Sequence, residues 1–394
     1  MKIAFVIHRY GADIVGGSET HCRRIAEQLA ARHSVEVLTT TASDYVTWKE
    51  GYKEGVETIN GVTVRRFRVR SRRNLVRFKE ISDLCFHGQA HTAEDEKAWV
   101  RANGPDSPDL ARYVRENKAG YDAFVIYSYR YATAWDTLPE VADKAILVPT
   151  AEEDPAVHLT IFRDFFALPA GILFLTPEEQ DLVGRAALGS LPPSAVIGFA
   201  VDVPAELDPE GFKKRRGLDR PYVLYVGRID RNKGCELLFR YFQEYLKRKT
   251  HDVDLVLGGS AALSIPDHPR IKYLGFLTDR EKFEAIFASE LLVMPSPYES
   301  LCIVVLEAWK AGRVTLVNGQ CKVLRGQSRR SRGGLYFDSF AEFCEAMDFL
   351  LDHPAVGAAL GRAGRAWIQA NFEWVHLTAK IEDMIARTIA ARAK

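Results

Sequence analysis

Short apolar runs recur along this chain, and most are followed by a stretch in which apolar residues return at helical spacing. The first run, Ile3–Ile7, meets a glycine-bearing loop and then an amphipathic segment near Ser18–Arg32, and Val35–Thr39 is the next apolar run. A strand–helix–strand opening of this kind predicts a parallel sheet. Val62–Val69 alternates apolar and basic residues, the pattern of a more exposed strand, and a polar, irregular section leads to the turn cluster Gly104–Pro108. Buried strands are expected at Ala123–Tyr127, Ala145–Pro149 and Ile172–Thr176, interleaved with helices. Ser194–Pro209 carries prolines without periodicity and reads as a linker. The pattern then restarts with strand Tyr222–Val226, a glycine turn, helix Glu236–Lys249, and strands Asp254–Gly258 and Ile271–Leu274. A helix near Asp279–Ala288 and strand Leu291–Met294 follow; Val314–Val317 and Gly334–Phe337 close the series before helices run to Lys394. The expected fold class is α/β, with two Rossmann-like domains whose parallel sheets face a central cleft. In open sheets of this kind ligands lie at the carboxyl ends of strands.

Bulk properties narrow the function classes. At 394 residues the chain is long for one core, so two domains are expected. A net charge of +1 gives no global attraction to nucleic acid or to a membrane, so such contacts must come from a local patch. The six cysteines are scattered without Cys-x-x-Cys or metal spacing and read as reduced thiols of a cytoplasmic protein. The apolar opening is broken at once by His8-Arg9, and no run approaches the roughly 18 apolar residues a spanning helix needs.

Candidate chemistry concentrates in three places. In Pro295-Ser-Pro-Tyr-Glu299-Ser300-Leu301-Cys302-Ile303-Val-Val-Leu-Glu307, two carboxylates bracket an apolar run that reads as the start of a helix. Their spacing separates them by roughly 10–12 Å at helical rise. A glycosidase acid/base pair sits closer, at about 5–9.5 Å. The spacing suits an extended ligand with hydroxyls at both ends and an anion over the helix start, the form of a nucleotide sugar. The second place is Gly227-Arg228-Ile-Asp-Arg-Asn-Lys233-Gly234, where a strand end carries two cations that can grip a diphosphate; alone, it reads as a solvated basic turn. The third is the Gly16-Gly17 loop, where backbone N–H groups can approach an anion, or where a plain helix-entry turn would serve. It is not Gly-x-Gly-x-x-Gly, and no acidic residue ends the second strand, so a dinucleotide fingerprint fails.

Together these elements resemble the retaining GT-B glycosyltransferases of the glycogen-synthase-like family four, over nearly the whole chain. The resemblance implies an acceptor-binding domain at 1–200, a nucleotide-sugar-binding domain at 201–372, and a final helix at 373–394 that crosses back to the first. It implies that Glu299 binds hydroxyls of the donor sugar and Glu307 the ribose. Arg228 and Lys233, with Gly227 beside them, would hold the diphosphate, and Gly16 and Gly17 would approach it from the other domain. Backbone amides along Ser300, Leu301, Cys302 and Ile303 would contact phosphate, and the turn with Phe276 and Leu277 would touch the base. Retention is usually drawn as front-face substitution, without a metal or other cofactor. The implied partners are a nucleotide-sugar donor and a glycan or lipid-linked saccharide acceptor, as in surface-polysaccharide synthesis. Two other readings keep the site: a phosphorylase or small-metabolite glycosyltransferase, and a catalytically weak nucleotide-sugar-binding protein.

The chain departs from the family where Glu-Gly-Phe-Gly is replaced by Glu299-Ser-Leu-Cys302. Glu152 also stands where similar proteins commonly place His, near the donor's outer carbons. A carboxylate there would bind a sugar hydroxyl and repel a uronate; as plain structure this acidic cluster would cap a helix or be solvated. Asp252-Val-Asp254 begins a strand rather than ending one, which does not fit a metal site. His87 and His91, four apart, could share a helix face but have no third ligand. Arg65–Lys79 is the densest basic stretch. Its Arg68, Arg70, Arg72 and Arg73 form a candidate patch for an acceptor or an anionic membrane at the inner face, or else a solvated strand edge; nothing else supports nucleic acid. Lys213–Arg216 reads as a solvated helix face.

Overall fold

The computed structural model describes residues 1–88, 90–189 and 191–392. The chain divides into two compact units, Met1–Gly198 with Trp374–Lys394, and Phe199–Glu373; Ala393 and Lys394 lie outside the described residues.

The first unit holds an eight-stranded sheet of β1 (Lys2–Val6), β2 (Ser34–Thr40), β3 (Gly55–Ile59), β4 (Val62–Phe67), β5 (Ala123–Tyr127), β6 (Ala145–Val148), β7 (Gly171–Phe174) and β8 (Ser194–Val196). Its order is β3-β4-β2-β1-β5-β6-β7-β8, and only β3 runs antiparallel, in a hairpin with β4. Continuous apolar strands such as Ala123–Tyr127 are buried at every position, as a sheet covered on both faces requires. Trp99, Phe124, Phe162, Phe165 and Phe166 fill one side. The second unit holds β9 (Tyr222–Val226), β10 (Asp254–Gly258), β11 (Ile271–Tyr273), β12 (Leu291–Met294), β13 (Thr315–Asn318) and β14 (Gly334–Phe337), all parallel, in the order β11-β10-β9-β12-β13-β14. That is the doubly wound arrangement, and its order reverses between β9 and β12. In such sheets the ligand crevice lies at the carboxyl ends of those two strands, from which the loops of Arg228 and Glu299 start.

Several sequence expectations need correction. Ser194–Val196 is an edge strand, so the linker begins later than expected. His87 caps the end of helix Leu75–Phe86 and His91 lies in the next loop, so they share no helix face. The basic run Lys213–Arg216 is not simply solvated: Arg215 reaches Glu284 at 2.8 Å and Arg216 reaches Glu281 at 2.5 Å. Asp252 and Asp254 are both engaged by Arg270. All six cysteines are buried and unbridged.

The final helix, Trp374–Arg392, packs against β5, β6, β7, β8 and helix Gly17–Ala30 of the first unit. Leu377, Ile381, Met384 and Ile385 supply its buried face.

Candidate functional site

At the crevice of the second unit, β9 delivers Gly227 and Arg228 and β12 delivers the loop Pro295–Cys302. Gly234 has φ 71°, and a Cβ there would overlap the Pro295 carbonyl. Glycine therefore lets the turn after β9 touch the loop after β12. The contact brings Lys233 to Glu299, Nζ to Oε1 at 2.8 Å, with side-chain exposures of 22% and 10%. Asp230 fixes the turn by accepting the Lys233 backbone N–H at 2.8 Å. Arg228 extends beside it, Nε 3.0 Å from Asp230 Oδ2, and its carbonyl accepts the Tyr225 hydroxyl at 2.6 Å. A cation suited to a phosphate and a carboxylate suited to sugar hydroxyls are thus neighbours.

Cys302 caps helix Ile303–Lys310 with φ 66° and ψ 75°, the left-handed conformation. No glycine stands here, yet the backbone takes the shape glycine favours, at a strain of about 1–2 kcal/mol. Gln327 steadies the turn by donating to the Leu301 carbonyl at 2.7 Å. Ser300, Leu301, Cys302 and Ile303 therefore lead directly into a helix start, where first-turn N–H groups lack intrahelical partners. One turn on, Glu307 is buried and paired with Lys282 at 2.7 Å. Phe276 is 60% exposed, whereas the Leu277 side chain is buried where a Cβ on Gly258 would meet it. Only Phe276 of this pair presents a ring to a ligand.

Gly16, Gly17 and Glu152 belong to the first unit. Gly16 is extended, and a Cβ there would overlap the carboxylate of Glu19. The need for glycine arises from this chain's own side chain, a reason the sequence did not show. Glu19 is buried and accepts from His8 Nε2 and Arg9 Nε, both at 3.1 Å, and from Ser18 Oγ at 2.8 Å. Burial opposes its charge, but His8, Arg9 and Ser18 together hold its carboxyl far below the usual range. Burial lowers the His8 pKa. This cluster at the end of β1, where that sheet's order reverses, was missed. In the sequence His8-Arg9 marks only the break after an apolar run, and nothing local names Glu19, ten residues on, as its partner.

Glu152 lies half-buried in the loop after β6. Thr150 is left-handed at φ 51° and meets Ser128 Oγ at 2.9 Å. The buried Glu179 accepts the N–H of Ala151 at 2.6 Å and of Leu175 at 2.6 Å. Burial pushes its carboxyl up to about 8. Sequence reading missed this clamp because Glu179, three residues past Thr176, looks like an ordinary capping acid.

The arginine patch contracts. Arg73 is largely enclosed: it donates to the Asn103 carbonyl at 2.9 Å and the Val46 carbonyl at 3.1 Å, and lies 4.6 Å from the Trp48 ring. It holds two loops together, its donors largely spent on backbone carbonyls. Arg68 and Arg70 are exposed but pair with Glu50 and Asp106. Arg72 is exposed, near Leu75 and Val76.

Residues 220–353 match the family model of glycosyl transferases group 1. This group 1 domain covers β9 to β14 and includes Arg228, Lys233, Glu299 and Glu307. An alpha-D-kanosaminyltransferase of Streptomyces kanamyceticus is 32% identical over 208 residues, 47% of this chain and 52% of that protein. The chain thus matches about half the length of that relative. A GDP-mannose-dependent alpha-(1-6)-phosphatidylinositol monomannoside mannosyltransferase of Mycolicibacterium smegmatis is 28% identical over 325 residues, 75% of this chain and 78% of that protein. The structure of a sucrose-phosphate synthase from Thermosynechococcus elongatus superposes with a TM-score of 0.72 at 17% identity, covering 99% of each chain. The fold is GT-B.

Proposed function

We propose that this chain is a retaining glycosyltransferase that moves a neutral or amino sugar from a nucleoside-diphosphate donor to a hydroxyl of a saccharide. The observation that carries the reading is the pair of lysine–carboxylate contacts, Lys233–Glu299 and Lys282–Glu307, on the strand-end loop and helix of the group 1 domain. Glu299 takes donor-sugar hydroxyls, Glu307 the ribose, and Arg228 and Lys233 the diphosphate. The left-handed Cys302 supports phosphate contact by the helix start despite the missing glycine, and so speaks against a weak binder.

In the reaction proposed, the acceptor oxygen attacks the anomeric carbon from the face the diphosphate leaves. The departing phosphate oxygen takes the acceptor proton, and no metal is required. Arg228 and Lys233 matter most as charge grows on the leaving group. Glu152, clamped through Glu179, binds a hydroxyl of the transferred sugar and disfavours a uronate. The GDP-mannose dependence and lipid-linked acceptor in the mycobacterial relative's name support a nucleotide-sugar donor and a glycan or glycolipid acceptor. Exposed Arg68, Arg70 and Arg72 with Leu75 and Val76 support contact with the anionic inner face of a membrane, and with it a cytoplasmic location. Among the described residues no helix is long and apolar enough to cross a membrane.

Thermal unfolding against UDP, GDP and ADP and their sugars tests the reading. A ligand at about 100 times its Kd adds roughly 2.7 kcal/mol of apparent stability. A raised midpoint with one nucleotide, followed by retained anomeric configuration in the product by NMR, is expected. No shift with any of them would overturn the donor assignment.

A further inference from the structure

One lysine grips the carboxylate-bracketed helix from outside the motif. Lys282 lies in the first turns of helix Asp279–Ala288, whose start is fixed by a reciprocal capping box between Thr278 and Glu281. Its Nζ donates to Glu307 Oε1 at 2.7 Å and to Asp279 Oδ1 at 3.0 Å. Asp279 is 70% exposed, so water screens that contact, whereas Glu307 is only 10% exposed. The shielded contact with Glu307 dominates. Burial opposes the ammonium, yet Glu307 and Asp279 outweigh it and keep Lys282 protonated.

The pairing has a geometric consequence. A glutamate on a helix has three side-chain torsions to fix before its carboxylate can meet a ligand, and each free rotamer weakens recognition. Lys282 fixes them in advance by holding Oε1. An oriented carboxylate suits the vicinal hydroxyls of a ribose and has nothing to offer a 2′-deoxyribose at the missing oxygen.

We infer that Lys282 is a positioning residue for the donor nucleoside: by holding Glu307, it makes the site select ribonucleoside over 2′-deoxyribonucleoside diphosphates. This rests on the proposal that Glu307 takes the ribose. It goes further in naming a residue outside the Glu-x7-Glu spacing and a selectivity that follows from it.

Calorimetric titration of UDP and GDP against dUDP and dGDP provides the test, using the native chain, Lys282→Met, Lys282→Arg and Glu307→Gln. The native chain should bind the preferred ribonucleotide about tenfold more tightly than its deoxy form, the worth of one charge-assisted hydrogen bond. Lys282→Met should weaken the ribonucleotide about tenfold and leave the deoxynucleotide nearly unchanged, so that the preference collapses. Lys282→Arg, which can still pair with Glu307, should keep most of it. Equal losses for both nucleotides in Lys282→Met, or no loss for either, would overturn the positioning role. A native chain without ribose preference, or Glu307→Gln with native affinity, would overturn the ribose assignment itself, and this inference with it.

Discussion

Each sheet carries a cation–carboxylate cluster where its strand order reverses, and the two clusters are built in opposite ways. In the first unit Glu19 is sealed between His8 and Arg9, with both basic side chains buried. In the second, Lys233–Glu299 and Lys282–Glu307 keep partial access to solvent on the lysine side. A sealed cluster fixes a loop, because opening it strands charge away from water. A half-open pair can exchange its partner for a ligand. Cation–carboxylate pairs at equivalent points of two sheets therefore differ in what they can do, and burial sets the difference.

The largest test of that contrast is Glu19→Gln. It leaves the buried Arg9 guanidinium without its counter-charge, the amide oxygen being only a neutral acceptor, so the chain should lose about 3–5 kcal/mol in chemical denaturation. Nucleotide affinity of the second unit should persist wherever the variant remains folded. Next, Lys233→Ala should cost about 10²–10³ in turnover. Its stability should move by less than about 1 kcal/mol, because the pair it breaks is partly solvated. A stability loss as large as that of Glu19→Gln would erase the distinction between the clusters.

A smaller effect separates Glu179 from both. Its folded pKa of about 8 lies above the ordinary carboxylate value of 4.5. Its contribution is therefore fully present below about 4.5 and is lost as pH rises through about 8. Denaturation midpoints of Glu179→Gln should fall less between about pH 5 and 8 than those of the native chain. A parallel fall would remove the protonation from the account. Cys302→Gly is the smallest: relief of left-handed strain offsets the lost burial of Sγ, so stability should stay within about 1 kcal/mol and nucleotide affinity should hold.

The sequence revealed the second unit's architecture well, because parallel strands buried on both faces read as unbroken apolar runs with little ambiguity. It also singled out Glu299, Glu307, Arg228 and Lys233 as candidates, because their spacing is local to two loops and one helix. Lys282 escaped, since its partner is 25 residues away and the pairing exists only once two helices pack. Arg73 was misjudged for a related reason. Alternation of basic and apolar residues describes a strand edge, and a guanidinium enclosed by Trp48 and the Asn103 carbonyl needs tertiary contacts to be seen. Ser194–Val196 was too short and too close to Pro192-Pro193 to look like a strand.

The six buried thiols have a practical consequence. Burial raises the pKa of Cys22, Cys85, Cys235, Cys302, Cys321 and Cys344 alike, so alkylating reagents meet little thiolate in the folded chain. Maleimide uptake followed by peptide mass spectrometry then clocks local opening without any engineered probe. Cys22 and Cys85 report on the first unit and the other four on the second, so each half of the molecule carries its own timer.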